Sequence, residues 1–156
     1  MAVNALSCHS EPPGQGGKGA KGAKGAQDAL GAAPRRGRAS RGALSEAKGR
    51  AAETLVAQHY EARGAALLHR RWRCAGGEID LIFQEGDQIV MVEVKSSKSW
   101  GAALAQLGAR QIQRLLTSAS AFLGTQPRGQ LTDMRIDVAA FDGRGQIEII
   151  ENALMA

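Results

Sequence analysis

GEIDLIFQEGDQIVMVEVK, residues 77–95, is the stretch of this chain that decides its fold. Residues 78–83 and 89–95 are two runs rich in Ile, Val and Leu, and along each run the residue types alternate with a period of two. The turn residues Gly86 and Asp87 lie between the two runs. A period of two on both sides of a Gly-Asp turn is typical of two antiparallel strands. The sequence therefore predicts a β-hairpin over these residues.

The length of the turn determines which charged side chains meet across this hairpin. A turn of two residues, or a loop of four, places Asp80 opposite Glu93. In the same register Glu78 lies opposite Lys95. The Cβ atoms of Asp80 and Glu93 would then be about 5 Å apart, where like charges repel each other. A positive group is expected between them, and both Lys95, which follows Glu93 on the same face, and a divalent cation are candidates.

The first part of the chain differs in composition from the rest. Residues 1–44 hold nine Gly and three of the four Pro, with hardly a large apolar side chain. Such a segment cannot bury enough surface to offset the entropy of ordering it. We therefore predict a disordered tail over residues 1–44 and a single folded domain over residues 45–156.

The basic excess of the chain lies entirely in this tail. Residues 1–44 carry seven Lys or Arg against two acidic residues, a net of +5, whereas residues 45–156 carry thirteen of each sign. The tail could bind phosphate backbones or act only as a solubilising extension, and both interpretations stay open. Any nucleic-acid contact by the domain must come from local basic residues. The candidates are Arg71, Arg73, Lys98, Arg110 and Arg114.

Cysteine usage and hydropathy exclude several classes of protein. Cys8 and Cys74 are the only cysteines, and no Cys/His cluster has the spacing of a zinc site. The first residues lack the features of a signal peptide, and no stretch is long and apolar enough to span a bilayer. We expect a cytoplasmic protein with neither a structural zinc ion nor a membrane partner.

The remaining elements can be placed by periodicity and by helix and turn signals. In chain order they are a helix capped by Ser45 and ending near residue 63, an edge strand over 65–72, the hairpin, a loop over 96–101, a helix over about 104–123, and strands over 134–141 and 146–150. The predicted apolar faces are Ala52, Leu55, Val56, His59 and Tyr60 in the first helix, and Ile112, Leu115, Leu116, Ala119, Phe122 and Leu123 in the second. The predicted architecture is an α/β fold, in which helices pack on a mixed β-sheet.

The charged residues of the hairpin indicate a particular chemistry. Carboxylates of Asp80 and Glu93, with a backbone carbonyl such as that of Val94, are hard oxygen ligands that suit Mg²⁺ or Mn²⁺. An ammonium such as that of Lys95 can orient a water or stabilise charge on phosphorus. This combination is typical of phosphodiester hydrolysis, and the lack of a Gly-rich nucleotide-binding loop favours nucleic acid over a small molecule. The alternative is that Lys95 simply forms an ion pair, with Glu93 or across the hairpin with Glu78, in a scaffold that has no activity.

Several short motifs together resemble a known family. They are Gly49-Arg50 with Glu53, Trp72-Arg73, Gly77-Glu78-Ile79-Asp80-Leu81-Ile82, Val92-Glu93-Val94-Lys95 and Arg135-Ile136-Asp137-Val138. Their order and approximate spacing over residues 45–153 resemble the YraN-like uncharacterised protein family. That family is in turn similar to the PD-(D/E)XK nuclease superfamily and to archaeal Holliday junction resolvases.

The resemblance implies a fold and a set of roles. It implies a restriction endonuclease-like mixed sheet flanked by helices, and a metal-dependent endonuclease acting on DNA, with branched or damaged DNA as candidates. Asp80 and Glu93 take the places of the two acidic metal ligands, and Lys95 takes that of the catalytic lysine. Glu53 matches the acidic residue that the first helix contributes. Resolvases also suggest a homodimer. A nucleic-acid-binding module or scaffold that uses the same fold without catalysis is the alternative.

Overall fold

A computed structural model describes residues 36–97, 99–142 and 144–154. The elements, in chain order, are α1 (Arg36–Ala62), β1 (Ala66–Cys74), β2 (Gly77–Glu85), β3 (Gln88–Ser96), α2 (Trp100–Ala105), α3 (Ala109–Leu123), a 3₁₀ turn (Gly129–Leu131), β4 (Met134–Phe141) and β5 (Ile147–Ile150). They form a mixed α/β fold with helices on a five-stranded sheet, which confirms the predicted fold class. The part of the predicted tail over residues 1–35 lies outside the described residues, as does Lys98.

The strands lie in the sheet in the order of the chain, β1-β2-β3-β4-β5. All neighbours are antiparallel except β3 and β4, which are parallel. A parallel pair needs a long crossover connection, and here that connection carries α2 and α3. The predicted edge position of β1 and the predicted strand over 134–141 are both confirmed.

The hairpin of β2 and β3 has the predicted register. Glu85 faces Gln88 across a two-residue turn, and the pairing continues as far as Leu81 with Val92. The next positions in the same register are Asp80 and Glu93. Counting residues from the turn was sufficient because a period of two leaves only one register that keeps both apolar faces buried.

Helix α1 begins nine residues before the predicted cap at Ser45. Residues 42–48 of this extension are exposed, so the helix continues there without burying apolar surface. A helix that packing has already nucleated gains one backbone hydrogen bond for each residue it adds. The composition predicted a disordered tail as far as residue 44, whereas the helix already begins at Arg36, so the predicted start at Ser45 was wrong.

The core has one layer on each face of the sheet. On one face α1 contributes Val56, Ala57 and Tyr60, and on the other α3 contributes Leu115, Ala119, Phe122 and Leu123. Two residues of the predicted faces are instead partly exposed, Leu55 at 38% and Leu116 at 42%, and His59 is exposed as well. Ala57 and Ser118 are buried on these helices.

The predicted helix over 104–123 is divided into α2 and α3. Gly108 has an extended backbone, with φ −69° and ψ 155°, immediately before α3. Glycine has a low helix propensity, and it readily takes such a conformation at a helix start. Because α2 already begins at Trp100, the loop predicted over 96–101 is shorter than expected.

A buried polar network joins α1, β4 and the end of the described chain. Asp137 is fully buried and accepts hydrogen bonds from the Tyr60 hydroxyl at 2.8 Å, the Asn152 backbone N–H at 2.8 Å and Arg135 Nε at 3.1 Å. Burial, and then the charge of Asp137, raises the pKa of Tyr60 far above its usual value, so the hydroxyl stays a donor. This network stabilises the packing of α1 on the sheet.

No helix in the described ranges has both the length and the apolar character needed to cross a bilayer.

Candidate functional site

A cleft opens beside α3 where β2 begins and β3 ends. Its volume is about 180 Å³, and its lining residues are Gly77, Glu78, Asp80, Glu93, Gln111, Arg114 and Leu115. Both acidic residues predicted to oppose each other in the hairpin, Asp80 and Glu93, therefore lie in one cleft. The small residue Gly77 allows close packing here, since a Cβ at this position would lie 3.3 Å from Ser118 Oγ.

Asp80 is held by the backbone of the neighbouring strand. Its Oδ2 accepts a hydrogen bond from the Val94 backbone N–H at 2.8 Å. Burial, and then the negative charge of Glu93, raises the pKa of Asp80 from 3.8 to about 7. A carboxyl with this pKa is ionised at neutral pH only at a cost in free energy, which a cation placed next to it would offset.

Glu93 is held by two side chains that both contact the same oxygen. Lys95 Nζ and Gln111 Nε2 donate to Glu93 Oε1 at 2.8 Å and 2.5 Å. Glu93 is only 7% exposed. Within the described residues both of these bonds use Oε1, which leaves Oε2 for a metal ion or a water.

Gln111 was not among the predicted site residues. The predicted helix over 104–123 gave no reason to place this side chain near the hairpin. Its spacing of four residues from Leu115, which is buried against the sheet, puts both side chains on one face of α3. That spacing was the available signal.

The ion pair of Lys95 with Glu93 is the contact on which the scaffold alternative depends. It is formed, at 2.8 Å, with both side chains largely buried. Glu78, which was predicted to lie opposite Lys95, forms no ion pair with it. Glu78 binds Arg71 and Arg73 of β1 instead. A lysine that holds an acidic metal ligand and a lysine in a simple ion pair have the same geometry in the free protein.

Glu53 does not join the two acids of the hairpin as a third ligand. Across residues 36–97, 99–142 and 144–154, no three His, Cys, Asp or Glu side chains are grouped closely enough to hold a metal ion. Glu53 is half-buried on α1. Burial raises its pKa, and the charge of Arg71 opposes this effect. Of the three acidic residues expected to hold a metal ion, only Asp80 and Glu93 line the cleft.

The basic residues predicted to contact nucleic acid lie at different distances from the cleft. Arg114 is one of the lining residues. Arg71 and Arg73 bind Glu78, which also lines the cleft. Arg110 is exposed at the start of α3 and does not line the cleft.

The alternation of side chains along β2 is irregular at the cleft. Arg70 pairs with Leu81 and Trp72 pairs with Ile79, so the position between them sets Arg71 opposite Asp80. Ile79 and Ile82 pack in the same α3-facing core layer although they are three residues apart. Regular alternation would put them on opposite faces. The alternation is therefore interrupted next to Asp80.

Together the fold and the cleft define a class of protein, an α/β domain with a pair of acidic side chains and a lysine at one end of a mixed sheet. Residues 52–141, more than half of the chain, match the Uncharacterised protein family UPF0102. The chain belongs to this family, which is the YraN-like family that the motifs resemble.

Individual relatives agree with this assignment. The chain is 53% identical to a UPF0102 protein of Ruegeria pomeroyi over 115 residues, which cover 74% of this chain and 94% of the relative. It is 50% identical to one of Cereibacter sphaeroides, over 74% and 98% of the two chains. It is 40% identical to one of Dinoroseobacter shibae, over 77% and 90%. These relatives are named only by their family, so the similarity shows the family and no activity.

Proposed function

We propose that this protein is a metal-dependent endonuclease that hydrolyses phosphodiester bonds in DNA, with branched or damaged DNA as the candidate substrates. The observation that carries the proposal is the cleft that brings Asp80 and Glu93 together, with Lys95 bonded to Glu93. Two carboxylates and an ammonium at the end of two neighbouring strands are the groups that the reaction needs.

The residues of the cleft fit a divalent cation. Burial and the charge of Glu93 raise the pKa of Asp80 to about 7, so the ionised pair lacks sufficient positive charge around it. Asp80, Glu93 Oε2 and the Val94 carbonyl supply hard oxygen ligands of the kind that Mg²⁺ and Mn²⁺ prefer. When bound, such an ion would lower the pKa of a water and polarise a phosphoryl oxygen.

Two further polar side chains fix the position of Glu93. Gln111 and Lys95 both donate to Glu93 Oε1, which fixes the orientation of that carboxylate. The Lys95 ammonium lies within the same group of side chains, so it can orient a water or stabilise negative charge that develops on the phosphate. Lys95 is therefore the proposed catalytic lysine, and Gln111 a positioning residue.

A polymeric substrate suits the surroundings of the cleft better than a small one. Arg114 lines the cleft, and Arg71 and Arg73 bind Glu78 on its wall, so guanidiniums of the kind that bind backbone phosphates surround the site. A second copy of the chain would be needed to cut two strands symmetrically, so the proposal includes a homodimer on DNA.

The test is cleavage of labelled four-way, nicked and plain duplex DNA by the full chain in Mg²⁺ or Mn²⁺. We expect cleavage of at least one substrate, its loss in EDTA, and a reduction of at least about 100-fold in Asp80→Asn and Lys95→Met, since each removes a group that acts in the transition state. Glu148→Gln, an exposed charge change on β5, is the matched control. Cleavage that persists in Asp80→Asn, or that no metal ion supports, would refute the proposal.

A binding protein without catalysis is the second candidate, and a specific contact favours it. Lys95 and Gln111 give Glu93 two donors without any metal ion, so the side chain is satisfied in a scaffold as well. This candidate predicts salt-dependent DNA binding by the full chain together with no cleavage of any of the three substrates. Cleavage in Mg²⁺ would exclude it.

A further inference from the structure

Glu78, on the wall of the cleft, is bound by two arginines of the neighbouring strand. Arg71 Nε donates to Glu78 Oε1 at 2.8 Å, and Arg73 Nε donates to Glu78 Oε2. Each carboxylate oxygen therefore has its own guanidinium. A guanidinium binds a phosphate by the same planar geometry with which it binds a carboxylate.

The backbone at Arg71 is in an unusual conformation. Its φ is +48°, a left-handed value that bulky side chains rarely adopt. In the register of β1 and β2 this residue lies opposite Asp80. Strained residues of this kind cluster at functional sites, where the surrounding structure holds them.

The ion pair of Arg71 with Glu78 contributes too little to stability to explain this strained backbone conformation. Side-chain exposure is 27% for Arg71, 57% for Arg73 and 28% for Glu78, and ion pairs that reach solvent contribute little to stability. A function that requires two guanidiniums beside Asp80 explains the strain better than a surface ion pair does.

The charge of the cleft gives a further indication. Its lining contains three acidic residues, Glu78, Asp80 and Glu93, and one arginine, Arg114. A phosphate chain that approached this surface would be repelled by Glu78, which also occupies Arg71 and Arg73. If the carboxylate of Glu78 moves away from Arg71 and Arg73, the repulsion is reduced and both guanidiniums can bind a phosphate.

We propose that Arg71 and Arg73 form a phosphate subsite beside the cleft, and that Glu78 occupies it in the free protein as a place-holder that a substrate phosphate displaces. The subsite takes a phosphodiester of the DNA backbone, and this inference rests on the proposed function in that respect. No covalent step is involved, since one anion replaces another on the same two guanidiniums. Glu78 thus sets the threshold for substrate binding, while Asp80 and Glu93 hold the metal ion.

The test is the affinity of the full chain for a fluorescein-labelled 20-base-pair duplex, followed by anisotropy in EDTA so that no cleavage occurs. Glu78→Gln should bind at least about fivefold more tightly than the wild type, because Arg73 loses its carboxylate partner, Arg71 keeps only a 4.0 Å contact with Glu46, and one like charge is lost. The slope of log affinity against log salt concentration should also be steeper, by the amount that about one to two additional phosphate contacts would give. Arg73→Gln, at an exposed position, should bind more weakly and with a shallower salt dependence.

Glu148→Gln separates this effect from a change in net charge, and a double variant tests the contact of Glu78 with Arg71. Glu148→Gln makes the same charge change on β5, at the opposite edge of the sheet, and should alter the affinity less than twofold. The double variant with Glu78→Gln and Arg71→Gln should lose the gain, since the effects of groups in contact do not add.

An equal gain in Glu148→Gln, or no gain in Glu78→Gln, would overturn the phosphate subsite. If the wild type cleaves DNA while Glu78→Gln binds no more tightly, the subsite alone is refuted. If neither the wild type nor Glu78→Gln binds DNA in EDTA, and the wild type also cleaves none of the substrates in Mg²⁺ or Mn²⁺, both the subsite and the proposed function are refuted.

Discussion

Replacing Asp80 with Asn is expected to stabilise the metal-free protein at neutral and alkaline pH. The wild-type side chain is a carboxylate that both burial and the charge of Glu93 oppose. Asparagine keeps an oxygen that can accept the Val94 N–H, which Asp80 Oδ2 accepts at 2.8 Å. The substitution therefore removes the unfavourable charge and keeps the hydrogen bond.

The expected size of the effect follows from the pKa of Asp80, which is raised from 3.8 to about 7. A group whose pKa is higher in the folded state contributes stability that is fully present below pH 3.8 and is lost as the pH rises through 7. A shift of about three units at roughly 1.36 kcal/mol each amounts to about 4 kcal/mol. Asp80→Asn should therefore match the wild type near pH 4 and be more stable by up to this amount at pH 8.

Urea unfolding in EDTA between pH 4 and pH 8 measures this difference, with the fluorescence of the buried Trp72 as the signal. Asp87→Asn, in the exposed turn of the hairpin, removes the same charge where no burial opposes it and should show no such divergence. If the free energies of unfolding of Asp80→Asn and the wild type differ by the same amount at pH 4 and pH 8, the reasoning is refuted. A lower free energy of unfolding for Asp80→Asn at pH 8 would also refute it.

Two more substitutions test the packing that positions the cleft. Tyr60→Phe removes the hydroxyl that donates to the buried Asp137 and should lower the free energy of unfolding by about 1–3 kcal/mol; an unchanged value in urea unfolding would contradict a structural role for this bond. Gly76→Ala places a Cβ 2.7 Å from Thr117 Cγ2 and should cost about 1–3 kcal/mol, whereas Gly101→Ala, in α2 and with no atom within 4 Å of its Cβ, should be neutral or stabilising because alanine has the higher helix propensity. Equal thermal midpoints for these two variants would count against the close packing of α3 on β2.

The hairpin was predictable from the sequence because its signal is local. A two-residue turn and strict alternation specify a single register, and the structure has that register from the Glu85–Gln88 pair to the Leu81–Val92 pair. The positions of Asp80 and Glu93 follow from it. The mixed sheet followed in the same way from the order of the elements and their periodicity.

The partners of Glu78 were not predictable, because they depend on the way β1 pairs with β2. That pairing contains a register shift between Leu67 and His69, and Arg71 has a positive φ. Neither feature has a sequence signal such as a glycine at the position concerned. The hairpin register alone placed Glu78 opposite Lys95, whereas the irregular edge strand supplies two arginines for it.

The role of Gln111 and the start of α1 were missed for other reasons. Gln111 reaches Glu93 because α3 begins at Ala109, after the break at Gly108, and a predicted helix that ran through this glycine concealed the position. The start of α1 was placed too late because low apolar content was taken to exclude a helix, although an extension of a packed helix does not need burial.

The most direct measurement is a calorimetric titration of the full chain with Mn²⁺ and Mg²⁺ at pH 8, compared with Asp80→Asn and Glu93→Gln. If Asp80 and Glu93 together hold a metal ion, the wild type binds it and each variant loses most of the binding, while Glu148→Gln retains it. Asp80→Asn is expected to be the more stable protein at this pH, so its loss of binding could not be attributed to unfolding. Equal binding by the wild type and both variants, or no binding by the wild type, would contradict a metal site in this cleft.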